Sequence, residues 1–125
     1  MTLTELLDHA RRRPGASQDF PFDTVTLALR VAGKIFLLAN LESIPVRVNL
    51  KCQPELARDL RIRYPNHVLP GYHMNKRHWN TLIIDDFLPD EMVRWLIDHS
   101  YDLVLASLPR RVRSSLMGGE EKGEG

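Results

Sequence analysis

The sequence predicts an α+β domain. Its core is an antiparallel sheet of about five strands, with the first and last helices packed on one face, in the order α-β-β-β-α-β-β-α. Three observations carry this. Residues 24–31 and 45–52 alternate apolar and polar side chains, the mark of strands with one buried face. Leu3, Leu6, Leu7 and Ala10, and later Val93, Leu96, Ile97, Ser100 and Val104, recur at helical spacing. Turn signals rather than helices join most neighbouring strands, which favours antiparallel hairpins.

The first helix spans 3–12. Thr2 and Glu5 have the spacing of a capping box. Arg11, Arg12 and Arg13 sit at the end where cations suit the helix dipole, and Pro14-Gly15 stops it. Ala16 to Asp23 reads as a loop, with Phe20 and Phe22 flanking Pro21 and expected to cover a core edge. In 24–31, Val25, Leu27, Leu29 and Val31 share one face, with Thr24, Thr26, Ala28 and Arg30 on the other. Ala32-Gly33 supplies a turn, and Lys34 to Ala39 returns as the second strand of a hairpin.

The third strand, 45–52, has the cleanest alternation. Val46, Val48, Leu50 and Cys52 point one way; Arg47, Asn49 and Lys51 point the other. Cys52 is therefore expected to be a buried packing residue. Pro54 opens a helix at the position where its missing N–H costs nothing. This helix runs to Arg63, with Leu56 and Leu60 facing the core and Arg58, Arg61 and Arg63 outside. Asp59 and Arg63 are spaced for an i, i+4 pair. Pro65 ends it.

The stretch 64–84 reads as strand, short turn, strand, with His73, Lys76, Arg77 and His78 near the tip and Asn75 at the turn. Asp90 and Glu91 occupy the first turn of the last helix, which runs from about Pro89 to Leu108 and ends at Pro109. One domain over 1–113 is expected. Residues 114–125, rich in Gly and Glu from Gly118 on, are expected to form a disordered tail.

A chain of 125 residues can bury one core without staples. A lone cysteine excludes an internal disulfide framework and fits a reducing compartment. No apolar run approaches the ~20 residues that span a bilayer. The N-terminus lacks the basic-then-apolar order of a signal peptide. A cytoplasmic protein without a membrane partner is expected. Net charge is only +1, yet residues 44–80 hold seven Lys/Arg against Glu55 and Asp59. That local excess is the footprint of a polyanion partner, or simply a set of solvated faces.

Pro70-Gly71-Tyr72-His73-Met74-Asn75-Lys76-Arg77-His78-Trp79-Asn80-Thr81 resembles the signature of the MmcQ/YjbR family. The likeness extends to Pro14-Gly15 with Asp19-Phe20-Pro21-Phe22, to Gly33-Lys34-Ile35-Phe36, to Leu88-Pro89-Asp90-Glu91 and to Ile97-Asp98-His99-Ser100-Tyr101. It covers residues 3 to 113. The resemblance implies a CyaY-like (frataxin-like) α+β fold and DNA binding through a double wing.

Read with the residues, this gives a non-enzymatic nucleic-acid-binding protein, with DNA as the expected partner. The contacts would come from Arg30 and Lys34 at one hairpin, Arg47 and Lys51 on a strand, and His73, Asn75, Lys76, Arg77 and His78 at the other hairpin. No cofactor is expected. If Asn75-Lys76 forms a two-residue turn, His73 and His78 face each other as a possible metal pair, but Lys76 and Arg77 oppose a cation. Frataxin-type iron binding is disfavoured, because the first helix offers only Glu5 and Asp8. Acid–base chemistry at the same hairpin lacks a nucleophile elbow, a phosphate loop and a carboxylate pair. Two other readings stay open: a small-ligand or protein-interaction domain using the His73–His78 surface, and a purely structural role in which Trp79 fills core and Tyr72 covers an edge. The sequence does not define an oligomeric state.

Overall fold

Period-two alternation sorts one sheet into two unlike faces, and every helix with buried residues packs on the same one. The computed structural model describes residues 1–72 and 74–121; His73 and residues 122–125 lie outside the described residues. The elements are α1 (Leu3–Arg11), β1 (Ala16–Asp19), β2 (Thr26–Val31), β3 (Lys34–Asn40), β4 (Val46–Lys51), α2 (Pro54–Arg63), β5 (Val68–Pro70), β6 (Trp79–Ile84), α3 (Asp90–Ala106) and α4 (Arg110–Glu121). The strands form one six-stranded sheet in the order β1-β2-β3-β4-β6-β5. All five pairings are antiparallel. This is an α+β architecture.

The core lies between this sheet and α1, α2 and α3. Leu27, Leu29, Val31, Leu37, Ala39, Val48, Leu50, Val68, Leu82 and Ile84 of the strands pack with Leu6, Leu7, Ala57, Leu60, Val93, Leu96, Ile97 and Val104 of the helices. Val48 is buried and Val46 is half-buried against this core, on the face that alternation assigns them. The capping box at Thr2 and Glu5 is formed. The Asp59–Arg63 pair closes at 3.1 Å.

Ser100 fastens α3 to the sheet. The register shifts between Leu29 and Arg30, which leaves Phe36 as an extra residue on β3. Phe36 turns into the core and meets Tyr101 edge-on, with ring centroids 5.3 Å apart. The Ser100 hydroxyl donates to the Phe36 carbonyl at 2.6 Å and accepts the Lys51 N–H at 2.8 Å. One hydroxyl thus satisfies backbone groups that the bulge and the strand end would leave unpaired.

Arg61 does the same for α2. Its Nε donates to Asn80 Oδ1 at 2.7 Å, and its Nη2 donates to the Trp79 and Lys76 carbonyls. Asn80, 1% exposed, donates from its amide to the Ala57 carbonyl at 3.3 Å. A planar guanidinium suits this task, since its donors lie in one fixed fork.

The structure departs from the sequence reading in four places. First, Ala16–Asp19, read as loop, is a sixth strand paired to β2. It is a polar edge strand with only Ala16 half-buried, so no alternation marks it. Second, Pro109 begins a helix as well as ending one. Its carbonyl accepts the Val112 and Arg113 N–H groups, and α4 continues through residues 114–121, where a disordered tail is expected. Leu116 of α4 packs against the core, and a Cβ on Gly15 would sit 2.6 Å from Leu116 Cδ2. Gly15 also has φ +73°, so the α1–β1 turn needs glycine on both counts. Residues 122–125 of the expected tail lie outside the described residues.

Third, no two-residue turn forms at Asn75-Lys76. β5 ends at Pro70 and β6 begins at Trp79. Between them the Asn75 carbonyl accepts the His78 and Trp79 N–H groups, a helical turn, and Asn75 Oδ1 accepts the Arg77 N–H at 2.9 Å. The strands stay close at Gly71, where a Cβ would lie 2.7 Å from Trp79 Cβ. Fourth, Arg61 is an internal brace and not one of the outer arginines.

Two outcomes are expected from this packing. Asn80→Ala removes the acceptor for Arg61 and should cost about 2–3 kcal/mol, read from the urea midpoint; Arg61→Lys, which loses the fork, should cost about 1–2 kcal/mol. Cys52 is 3% exposed, and burial pushes its thiol up to about 11 against the opposing pull of Arg61. A thiol reagent at pH 8 should label the unfolded chain and leave the native protein unlabelled. Because the folded value lies above the unfolded one, the thiol's contribution to stability is complete below pH 9 and is lost as the pH rises towards 11.

Candidate functional site

The face of the sheet opposite α1, α2 and α3 carries the polar half of each alternating strand. Cross-strand register sets it out in rows. Thr26, Asn40, Arg47 and Ile83 are successive partners across β2, β3, β4 and β6. Ala28, Leu38, Asn49, Thr81 and Leu69 form the next row, ending on β5. Lys51 and Trp79 pair at the far end. Arg47 is exposed and Lys51 half-buried. Neither has a carboxylate within salt-bridge distance among the described residues.

Two loops rise over this face and make it a groove. The β1–β2 loop contributes Phe22, Asp23 and Val25; the β5–β6 loop contributes Tyr72 and Met74. The floor is Thr26, Leu38, Asn40, Arg47, Asn49 and Thr81, and the volume is about 710 Å³. Each wall is pinned. Asp23 caps its own turn, accepting the Val25 and Thr26 N–H groups at 2.9 and 2.7 Å. Those bonds hold its carboxyl below the usual range. On the other side, the Tyr72 N–H donates to Thr81 Oγ at 3.1 Å, and the Thr81 hydroxyl donates onward to Asn49 Oδ1. Thr81 is buried, so this relay draws the loop down onto the sheet. The Phe22 and Tyr72 side chains remain 69% exposed.

The expected contact residues do not share one surface. Arg47 and Lys51 stand on the open face. The β2–β3 turn and the β5–β6 loop lie at the same end of the sheet as Lys51, as the Val31–Lys34 and Lys51–Trp79 pairings show. Lys34, Lys76 and Arg77 are exposed there, and His78 is half-buried with its carbonyl accepting the Cys52 N–H. Arg30 is braced, donating to Asp19 at 2.8 Å and to the Gly33 carbonyl at 2.8 Å. Asn75 builds the turn with its own side chain. His73 lies outside the described residues. Arg58 and Arg63 are on α2, across the sheet from the groove. The basic excess of residues 44–80 is therefore divided between two sides of the molecule.

Phe22, Asn40, Asn49 and Thr81 are parts of the groove that charge counting passes over. Phe22 is exposed and not the cover of a core edge. Asn49, between Arg47 and Lys51 on the polar face of β4, is the signal that sequence carries for the floor. Elsewhere, His67 meets Asp85 at 2.9 Å and stacks on Phe87 with centroids 4.2 Å apart. That hydrogen bond holds the Asp85 carboxyl below its usual range. Burial lowers the pKa of His99, whose Nε2 accepts the Gln53 N–H at 3.2 Å. Among the described residues no three His, Cys, Asp or Glu side chains group as a metal would need, and no helix is long and apolar enough to cross a membrane.

The YjbR family model matches residues 11–103. The chain is 36% identical over 118 residues to the uncharacterized protein YjbR of Escherichia coli, covering 94% of this chain and 98% of that one. It is 27% identical over 117 residues to the uncharacterized protein YyaQ of Bacillus subtilis, covering 82% and 98%. The crystal structure of a Deinococcus radiodurans protein superposes with a TM-score of 0.88 at 32% identity, covering 92% and 87% of the two chains. A Pseudomonas syringae protein superposes with a TM-score of 0.67 at 26% identity, covering 82% and 98%. The chain belongs to the YjbR family.

Proposed function

We propose that this protein is a non-enzymatic, cytoplasmic nucleic-acid-binding protein that holds its ligand on the open sheet face. One observation carries the reading. Arg47 and Lys51 stand on that face without a carboxylate partner among the described residues, beside a groove walled by exposed Phe22 and Tyr72. A cation already neutralised by a neighbour offers little to phosphate; these two are free to offer theirs. Four residues of one strand separate them by about 13 Å, long enough to meet different phosphates.

The double wing belongs to the same reading. Lys34 on one side and Lys76 and Arg77 on the other flank the end of β4 that carries Lys51. Two strand spacings separate β3 from β6, roughly 10 Å. The frataxin-like comparison joins it too, since an open sheet with helices on one face leaves the other for a ligand. A second reading, a small-ligand or interaction domain, is favoured by the groove volume of about 710 Å³. That lies inside the range of small-molecule sites.

Binding to mixed-sequence DNA, titrated with salt, tests the proposal. Affinity should fall with salt at a log–log slope of about −0.9 per phosphate on duplex and −0.7 on single strands. Arg47→Ala with Lys51→Ala should flatten the slope by about one to two units, as should Lys76→Ala with Arg77→Ala. Stability should change little, because Arg47, Lys76 and Arg77 are exposed and half-buried Lys51 makes no ion pair among the described residues. Absence of binding at low salt, or a slope untouched by both pairs, would overturn it.

A further inference from the structure

We infer that the groove is a subsite for one unpaired nucleotide, with its base against the Phe22 and Tyr72 rings and its acceptor atoms on Arg47, Asn40 and Asn49. This rests on the nucleic-acid reading above and narrows it. Asp23, the carboxylate in the groove lining, already accepts three hydrogen bonds, from the Val25 and Thr26 N–H groups and the Thr26 hydroxyl. Asn40 Oδ1 accepts the Glu42 N–H at 3.0 Å, and Asn49 Oδ1 accepts the Thr81 hydroxyl. With both carbonyl ends engaged, each amide has its NH₂ left, without a partner among the described residues. Beside them is the Arg47 guanidinium, without a carboxylate partner among the described residues. What Arg47, Asn40 and Asn49 have left over on the floor are therefore chiefly donors.

A donor-rich floor selects a ligand that presents acceptors. Exposed aromatic walls select a flat ring. A volume of about 710 Å³ suits a single small molecule or one unit of a chain. A nucleotide combines all three: a planar base, ring nitrogens or carbonyl oxygens on its edge, and an anionic phosphate for the cation. In a duplex the faces of the bases are stacked and only their edges reach the grooves. A base that lies against Phe22 and Tyr72 must be unstacked. Aromatic platforms of this kind bind single strands with little regard for sequence, because every base has a π-face. The ligand could come as one unit of a strand or as a free mononucleotide; the chemistry in the groove is the same.

The experiment compares three ligands on the full chain: a fluorescein-labelled single strand of mixed sequence, the same strand in duplex, and adenosine monophosphate by calorimetry. Wild type is set against Phe22→Ala with Tyr72→Ala, and separately against Asn49→Ala, each checked for an unchanged circular dichroism spectrum. The single strand should bind more tightly than the duplex. Removing the rings should weaken it by about tenfold or more while leaving its salt slope unchanged. Asn49→Ala should weaken it by a few-fold. Binding of the mononucleotide alone, lost with the rings, would also uphold the subsite while overturning the polynucleotide reading. Equal binding of both strands, salt-dependent but indifferent to the rings, would overturn the subsite and leave the polynucleotide reading standing. Failure of all three ligands would overturn both.

Discussion

The groove depends on the Arg61 guanidinium. From α2, beneath the sheet, it reaches the Asn80 side chain and the carbonyls of Trp79 and Lys76. Those groups lie where the chain leaves the β5–β6 loop and enters β6. The Lys76 carbonyl, within a turn, has no backbone donor among the described residues, and the guanidinium supplies one; the Trp79 carbonyl, which already accepts the Gly71 N–H at 2.9 Å, gains a second donor. The loop is thereby held from below. From above, Tyr72 and Thr81 tie it to Asn49. The wall carrying Tyr72 and Met74 is set between these two anchors. A long, always-charged side chain thus shapes a site it does not enter.

The same logic explains why one sheet serves two purposes. β4 places Val46, Val48 and Leu50 under the helices, and Arg47, Asn49 and Lys51 away from them. Among the described residues no helix covers the second set and no carboxylate pairs with its charges. Yet that face is not simply wet. Ala28, Leu38 and Thr81 are buried on it, because two loops fold over its middle. A sheet with one side wholly solvated would offer charge without a cavity. Here the loops add an apolar enclosure to a polar floor, the combination that ligand sites use.

Much of this was legible in the sequence, and the rest was hidden for identifiable reasons. Period two in 45–52 assigns every residue of β4 to its correct face. The capping residues Thr2 and Glu5 mark the first helix turn. Ala16–Asp19 escapes because an edge strand made of polar residues borrows its conformation from β2 and has no pattern of its own. Arg61 escapes because charge alone cannot distinguish a solvated arginine from one whose partners are backbone carbonyls. The break at Pro109 misleads because proline both ends one helix and suits the start of another. Phe22 escapes because the usual fate of an apolar ring is burial, and a ring left exposed beside a groove is visible only once the chain is folded.

The two outer strands carry a further consequence. β1 has the polar sequence Ala-Ser-Gln-Asp, and β5 is three residues long and finishes with Pro70, which has no N–H to donate. A sheet bounded by long apolar strands invites a second chain to extend it, and repeated extension leads to fibrils. A brief, charged border on one side and a proline on the other discourage such growth. The protein can therefore display a broad uncovered sheet and remain protected against self-polymerisation along its edges.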